Sequence, residues 1–219
     1  MSKASPPESD ERAYAREIFD RLAEAHPDAT CALDYRNPFH LLIATILSAQ
    51  CTDERVNQVT PDLFARYPDA AALAASNSAD VEELIHSTGF YRQKTRSIRG
   101  AAEMIVAEHG GEVPDTMTAL TGLPGVARKT ANVVLGNAFE KAEGIAVDTH
   151  VKRVAFRLGL TEATRPGPIE KDLMALYPQS RWTMVTHLLI FHGRRICSAR
   201  SPACDECPVA DLCPQHGVD

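Results

Sequence analysis

Four thiols close the sequence in the pattern Cys197-x6-Cys204-x2-Cys207-x5-Cys213. Seventeen residues holding four cysteines point to one bound centre, and thiolates offer two chemistries there. One is a tetrahedral zinc held by four sulfurs; the other is a cubane whose four irons take one thiolate each. Structural zinc usually takes paired C-x2-C knuckles, whereas only Cys204 and Cys207 are so paired here, and this favours a 4Fe-4S cluster. The opening MSKASPPESDER has no apolar signal region, so a cytoplasmic location is expected, where thiols stay reduced and a disulfide framework is disfavoured. Cys31 and Cys51 lie far away in apolar, helix-like surroundings, and packing explains them.

With 219 residues, 44% hydrophobic and 24% charged, the chain has room for one large or two small globular domains. The apolar run from Leu41 to Leu47 is broken by Thr45 and falls far short of the roughly 20 residues that cross a bilayer, so no membrane partner is expected. Residues 1–9 lack large apolar side chains beyond Met1 and read as a mobile tail. Apolar residues then recur at helical spacing over 10–25, where Pro27 stops the run, and Asn37-Pro38 supplies a cap and a first-turn proline for a buried helix over 39–49. Further helical patterns cover 53–67, 79–86, 92–109, 128–139, 149–158, 169–176 and 181–191. No segment alternates long enough to make a strand, so the fold class is all-α.

The net charge of -6 gives no bulk attraction for nucleic acid, so any such partner is held locally. Two places offer this. The helix from Arg92 buries Ile98, Ala101, Ala102 and Ile105 on one face and sets Arg92, Arg96 and Arg99 on the other. In LTGLPGVARKTANVV, residues 120–134, Leu123-Pro124-Gly125 makes a tight turn ahead of a helix, where backbone N–H groups form a phosphate site without side-chain charge. Lys129 falls in the first turn of that helix beside Arg128, where the helix dipole and the neighbouring cation disfavour its charged form and leave a nucleophilic amine. Asp148, in AVDTH, precedes another helix, so it reads as an N-cap that retains a second oxygen for chemistry.

The hairpin LPGVARKTANVVL, then AVDTHVKRV, HLLIFHGRRIC and the cysteine spacing resemble the endonuclease III family, and the resemblance runs from about Asp10 to Cys213. It implies a bifunctional DNA glycosylase with apurinic/apyrimidinic lyase activity, acting on duplex DNA with oxidised pyrimidines such as thymine glycol, or with abasic sites. By that resemblance Lys129 is the catalytic lysine and Asp148 the essential carboxylate. Cys197, Cys204, Cys207 and Cys213 hold the 4Fe-4S cluster as a structural centre. Gln50 fills the gap left by the extruded nucleotide, and Phe90 stands where the family places an apolar wedge. DNA contacts are implied for Leu123, Gly125, Val126, Ala127, Arg128, Thr130 and Arg200, and a substrate pocket for Asp53, His150 and Arg194.

The implied fold is two helical lobes with a DNA-binding cleft. One lobe is a six-helix insert over 31–141 carrying the helix-hairpin-helix; the other joins 10–30 to 142–219 and carries the cluster, with Lys129 and Asp148 facing each other between them. A monomer associated with the nucleoid is expected. The chain departs from the family at Ala127, usually glycine, where a methyl is expected to restrict the backbone, and at Phe90, often leucine. The loop Ser198–Ala203 carries only Arg200 of the usual basic residues, so the expectation is either weaker DNA affinity or affinity that leans on Arg92, Lys94, Arg96 and Arg99. Two other readings are an adenine glycosylase acting on mispairs, disfavoured by Lys129, and a non-catalytic DNA-binding or redox-sensing iron–sulfur protein, which does not need both Lys129 and Asp148. A narrow-range accessory paralogue is a third.

Overall fold

The computed structural model describes residues 9–218, and among these every regular element is helical. The tail expected over residues 1–9 lies outside the described residues except for Ser9, which opens the first helix. The chain divides into two compact units: one uses the residues up to Thr30 and again from Ala142 onward, the other is continuous over Cys31–Lys141.

The first unit begins with α1 (Ser9–Ala25), which buries Ala15, Ile18 and Leu22 along one stripe. The chain then enters the second unit, whose central element is α2 (Pro38–Leu47). Every residue of α2 from Phe39 to Leu47 is buried, as a helix apolar on all sides requires. Its start is fixed locally: Asn37 Oδ1 accepts the His40 N–H at 2.8 Å, and Pro38 supplies a preset φ at the first position. The polar ring of His40 is accommodated by stacking on Phe64, with centroids 3.9 Å apart, and by the Pro68 carbonyl at 3.3 Å.

The unit continues with α3 (Asp53–Arg66), α4 (Ala70–Ala74), α5 (Ser78–Ile85), α6 (Tyr91–His109), α7 (Met117–Gly122) and α8 (Arg128–Ala138); α3, α6 and α8 pack on α2, and α7 on α8. The unit thus holds seven α-helices where the family resemblance implies six; the periodic segments of the sequence miss α4 and α7, whose five and six residues are too few to show a period. α6 buries Ile98, Ala101, Ala102 and Ile105 and lies against α4 and α5. Cys31 and Cys51 are in loops rather than on helices, half-buried against this core.

Back in the first unit, α9 (Thr149–Arg157), α10 (Pro166–Leu176) and α11 (Trp182–Arg195) complete the core with α1. α9 and α11 approach closely at Gly193, where an added Cβ would lie 3.0 Å from Val154 Cγ2 and 3.2 Å from His150 Cβ. Tyr14 ties α1 to both ends of the unit, its hydroxyl donating to the carbonyls of Leu158 at 2.8 Å and Leu212 at 3.0 Å.

His187 of α11 is buried in this unit, and desolvation pushes its imidazole pKa down to about 4. An unfolded histidine binds its proton near pH 6.5, so as the pH falls from there toward 4 the unfolded state takes up a proton that the folded state refuses. That group's share of stability, about 3 kcal/mol, is present above pH 6.5 and lost over this window. Denaturation midpoints across the window measure the loss, and His187→Leu is expected to flatten the slope.

Candidate functional site

The hairpin joins α7 to α8. Its turn closes through Val126 N–H to Leu123 O at 3.1 Å, and Gly125 occupies φ +79. That glycine is required twice over. Its φ lies in the left-handed region, and a Cβ there would stand 2.7 Å from Ser97 Cβ and 3.4 Å from Ile46 Cγ2, on α6 and α2. Leu123 and Val126 are buried, so the turn is nailed to the core by its side chains, and those two residues have only backbone to offer a ligand. Ala127 precedes α8 at φ -93, ψ 170, extended backbone that any residue adopts. The restriction expected from its methyl is therefore absent, although an alanine has no side chain to cap the helix. Arg128 and Lys129 follow in the first turn, exposed, with Thr130 half-buried.

Gln50 and Phe90 share an unusual property: both are non-glycine residues at positive φ, +53 and +48. Each such residue carries roughly 1–3 kcal/mol of strain, and it persists only where the surroundings over-determine it. Both side chains are exposed, Phe90 to 70%. The over-determination at Phe90 is visible. Its carbonyl accepts the N–H groups of Gln93 and Lys94, each at 3.0 Å, and the Lys94 ammonium donates to the Thr88 carbonyl at 2.8 Å from beneath the loop. Lys94 is buried, 5% exposed, with its pKa lowered by that burial. It is therefore not one of the surface cations expected to hold DNA. Arg99 is not either: it donates to Ser76 Oγ and Ser78 Oγ and pairs with Glu103. Arg92 and Arg96 remain exposed on that face.

In the other unit, Asp148 caps α9, its Oδ1 accepting the Val151 N–H at 2.8 Å. Close by, His150 Nδ1 lies 3.2 Å from Arg153 Nη2. Burial lowers the His150 pKa; the Asp148 charge opposes that shift, and the charges of Arg153 and Arg194 reinforce it. Asp148, from the cap of α9, and Arg194, from the last turn of α11, thus both act on His150. Asp53, expected to join His150 and Arg194, opens α3 in the continuous unit and interacts electrostatically with Cys31.

The four cysteines line one hollow, together with Arg157, Leu158, His192, Ile196 and Ala203. Burial raises the Cys207 and Cys213 thiols, and the charges of neighbouring cysteines add to it. A lone zinc draws its sulfurs in to about 2.3 Å. Among the described residues, no three His, Cys, Asp or Glu side chains close around a single metal ion. Four sulfurs spaced around a hollow fit a polynuclear group instead. Arg157, 6% exposed, holds the first strand of the loop, donating to the carbonyls of Ser198 at 2.6 Å and Ala199 at 3.0 Å, with Nη1 at 3.4 Å from Cys197 Sγ. Arg153 adds bonds to Gly193 O and Cys197 O. Sequence reasoning missed both arginines. Their i, i+4 spacing on α9, with Arg157 on the apolar side beside Val154, is the signal that would have found them. Arg200 is exposed on the same loop.

Two family profiles match the chain: HhH-GPD superfamily base excision DNA repair protein over residues 43–179, and iron-sulfur binding domain of endonuclease III over 197–213. The chain belongs to the endonuclease III family. Endonuclease III of Synechocystis sp. is 60% identical over 200 residues, 91% of each chain. That of Bacillus subtilis is 45% identical over 195 residues, 89% of each. The solved structure of a trapped endonuclease III–DNA covalent intermediate, an estranged-adenine complex, is similar at a TM-score of 0.88 and 44% identity, covering 93% of this chain and 96% of that one. The protein is accordingly a base excision repair enzyme of the glycosylase/lyase type, and its cofactor is a 4Fe-4S cluster in the domain from Cys197 to Cys213.

Because the Gly125 turn needs both its φ and its missing side chain, Gly125→Ala is expected to destabilise the continuous unit by roughly 2–4 kcal/mol, the left-handed cost plus overpacking. Ala127→Gly is expected to change stability by less than about 1 kcal/mol, since only backbone entropy is at stake there. Urea denaturation of the two variants reads the contrast.

Proposed function

We propose that this enzyme excises oxidised pyrimidines such as thymine glycol from duplex DNA and then cuts the strand 3′ to the resulting abasic site through a lysine Schiff base. One observation carries the reading: Lys129 stands exposed in the first turn of α8, immediately past the Gly125 turn. A backbone turn ahead of a helix receives a phosphate, and a lysine in the first turn of that helix serves as nucleophile toward the sugar attached to it. The covalent complex trapped in a homologous endonuclease III–DNA structure supports the same chemistry.

In the proposed reaction the neutral Lys129 amine attacks C1′ of a nucleotide extruded from the stack. The C1′–N bond breaks, its electron pair leaving with the base, which takes up a proton. Sugar opening gives the Schiff base; loss of a C2′ proton then expels the 3′ phosphate, and water releases the lysine. Asp148, with one oxygen committed to Val151 N–H, uses the other to take the lysine's proton or to offset positive charge developing on the sugar. Gln50 fills the space vacated by the extruded nucleotide and Phe90 stacks beside the unpaired opposite base. Their strained backbones are in keeping with parts set in advance of binding. His150, Arg194 and Asp53 are assigned to the base pocket. Duplex DNA is held by the hairpin backbone, Arg128, Thr130, Arg92, Arg96 and Arg200. Cys197, Cys204, Cys207 and Cys213 would hold the cluster, which when bound would supply the cross-links that close the last loop.

Borohydride trapping on a duplex with one thymine glycol tests this. The wild type is expected to give a covalent adduct that Lys129→Ala abolishes while lesion binding persists. An adduct that survives the substitution places the nucleophile elsewhere. In the same assay Asp148→Asn is expected to slow base release at least about 100-fold, with the fold unchanged by circular dichroism.

A further inference from the structure

Two buried imidazoles stand behind the cysteine loop and take no part in the chemistry above. His26 follows α1 and is 3% exposed; His192 lies in the last turn of α11 and is 1% exposed. His26 Nε2 is 3.2 Å from His192 Nδ1, and His192 Nε2 is 3.6 Å from Cys207 Sγ. The remaining nitrogen, His26 Nδ1, is buried without a hydrogen-bond partner. Two buried rings facing each other nitrogen to nitrogen share one proton between them, and as neutral imidazoles each carries one proton in all.

One hydrogen bond between two neutral rings leaves two arrangements. If His192 donates from Nδ1, His26 must hold its own proton on Nδ1, a buried N–H with no acceptor, while the bare Nε2 lone pair of His192 points at a cysteine sulfur. If His26 donates from Nε2, its partnerless Nδ1 is only an acceptor, and His192 holds its proton on Nε2, aimed at Cys207. Orphaned buried donors are rarer in folded proteins than orphaned acceptors, and a lone pair facing a thiolate is repulsive. Both considerations select the second arrangement.

We propose that the His26–His192 pair is locked in this tautomer and delivers an N–H hydrogen bond to the Cys207 thiolate, making His26 a positioning residue for the cluster although it precedes His192 by 166 residues. The inference rests on the assignment of Cys207 as a ligand. A hydrogen bond to a ligating sulfur draws off negative charge, which favours the reduced cluster and raises its potential. The Arg157 guanidinium at Cys197 and the Gln215 N–H, 3.4 Å from Cys213 Sγ, act in the same sense on two other sulfurs.

The test uses the cluster-loaded protein without DNA. His26→Leu removes the donor to His192 and leaves that ring free to move its proton to Nδ1, whereas His26→Gln keeps a side-chain N–H. Voltammetry is expected to show a more negative potential for His26→Leu than for wild type, and faster bleaching of the visible cluster absorption in air, with His26→Gln returning both toward wild type. Identical potentials and bleaching rates in all three overturn the proposal. Should His26→Leu fail to fold, nitrogen-15 imidazole spectra of the wild type decide: Nε2 of His26 protonated and Nδ1 bare is the expected result, and the reverse overturns it. Iron content of Cys207→Ala, expected to fall, reads the ligand assignment on its own, and full iron there overturns both.

Discussion

A buried cation held by carbonyls and a sulfur organises the iron–sulfur end of this protein. The Arg157 guanidinium spends its donors on two carbonyls and one sulfur of the cysteine loop. Burying such a group uncompensated is prohibitive, so the loop must bring acceptors to it, and a thiolate-held cluster supplies the counter-charge as well. The stretch from Cys197 to Cys213 has only a three-residue turn of regular structure. Its shape comes from α9, through Arg153 and Arg157, and from the cluster. The Asp148 cap sits at the other end of that same short helix, so one element of nine residues sets both the carboxylate and the arginines.

The second organising constraint is charge. A chain of net charge -6 holds a polyanion only through local features, and two of the four α6 cations that sequence would enlist are committed elsewhere: Lys94 to the Thr88 carbonyl, Arg99 to Ser76 and Ser78. Those commitments keep α6 against its neighbours and hold the Phe90 loop in its strained form. Surface charge is given up for rigidity, and the proposed DNA contacts fall to backbone dipoles at the hairpin and to exposed arginines.

Long helices were legible from period alone, α1 and α6 to within a residue, because a stripe of apolar side chains three and four apart has few other solutions. α4 was not: five residues, four of them alanine, show no period, and their helicity comes from packing on α6. The cysteine centre was legible because thiol spacing is chemistry rather than conformation. Its supports were not, since nothing near Arg157, His26 or His192 in sequence names their partners some 40 to 170 residues away. The positive φ of Gln50 and Phe90 was also invisible. Neither residue type asks for that conformation; the surrounding fold imposes it.

The interrupted layout of the first unit has a consequence in time. The unit over 31–141 is one continuous stretch of chain, so it can complete its core while the ribosome is still working. α1 leaves the ribosome earlier still but must wait, because Tyr14 needs Leu158 and Leu212 and His26 needs His192. The segment made first is therefore finished last, together with the cysteine loop. Until iron is delivered, a nascent enzyme would hold a finished hairpin while its cysteine loop stays unclosed, and metal supply sets the moment at which it becomes whole.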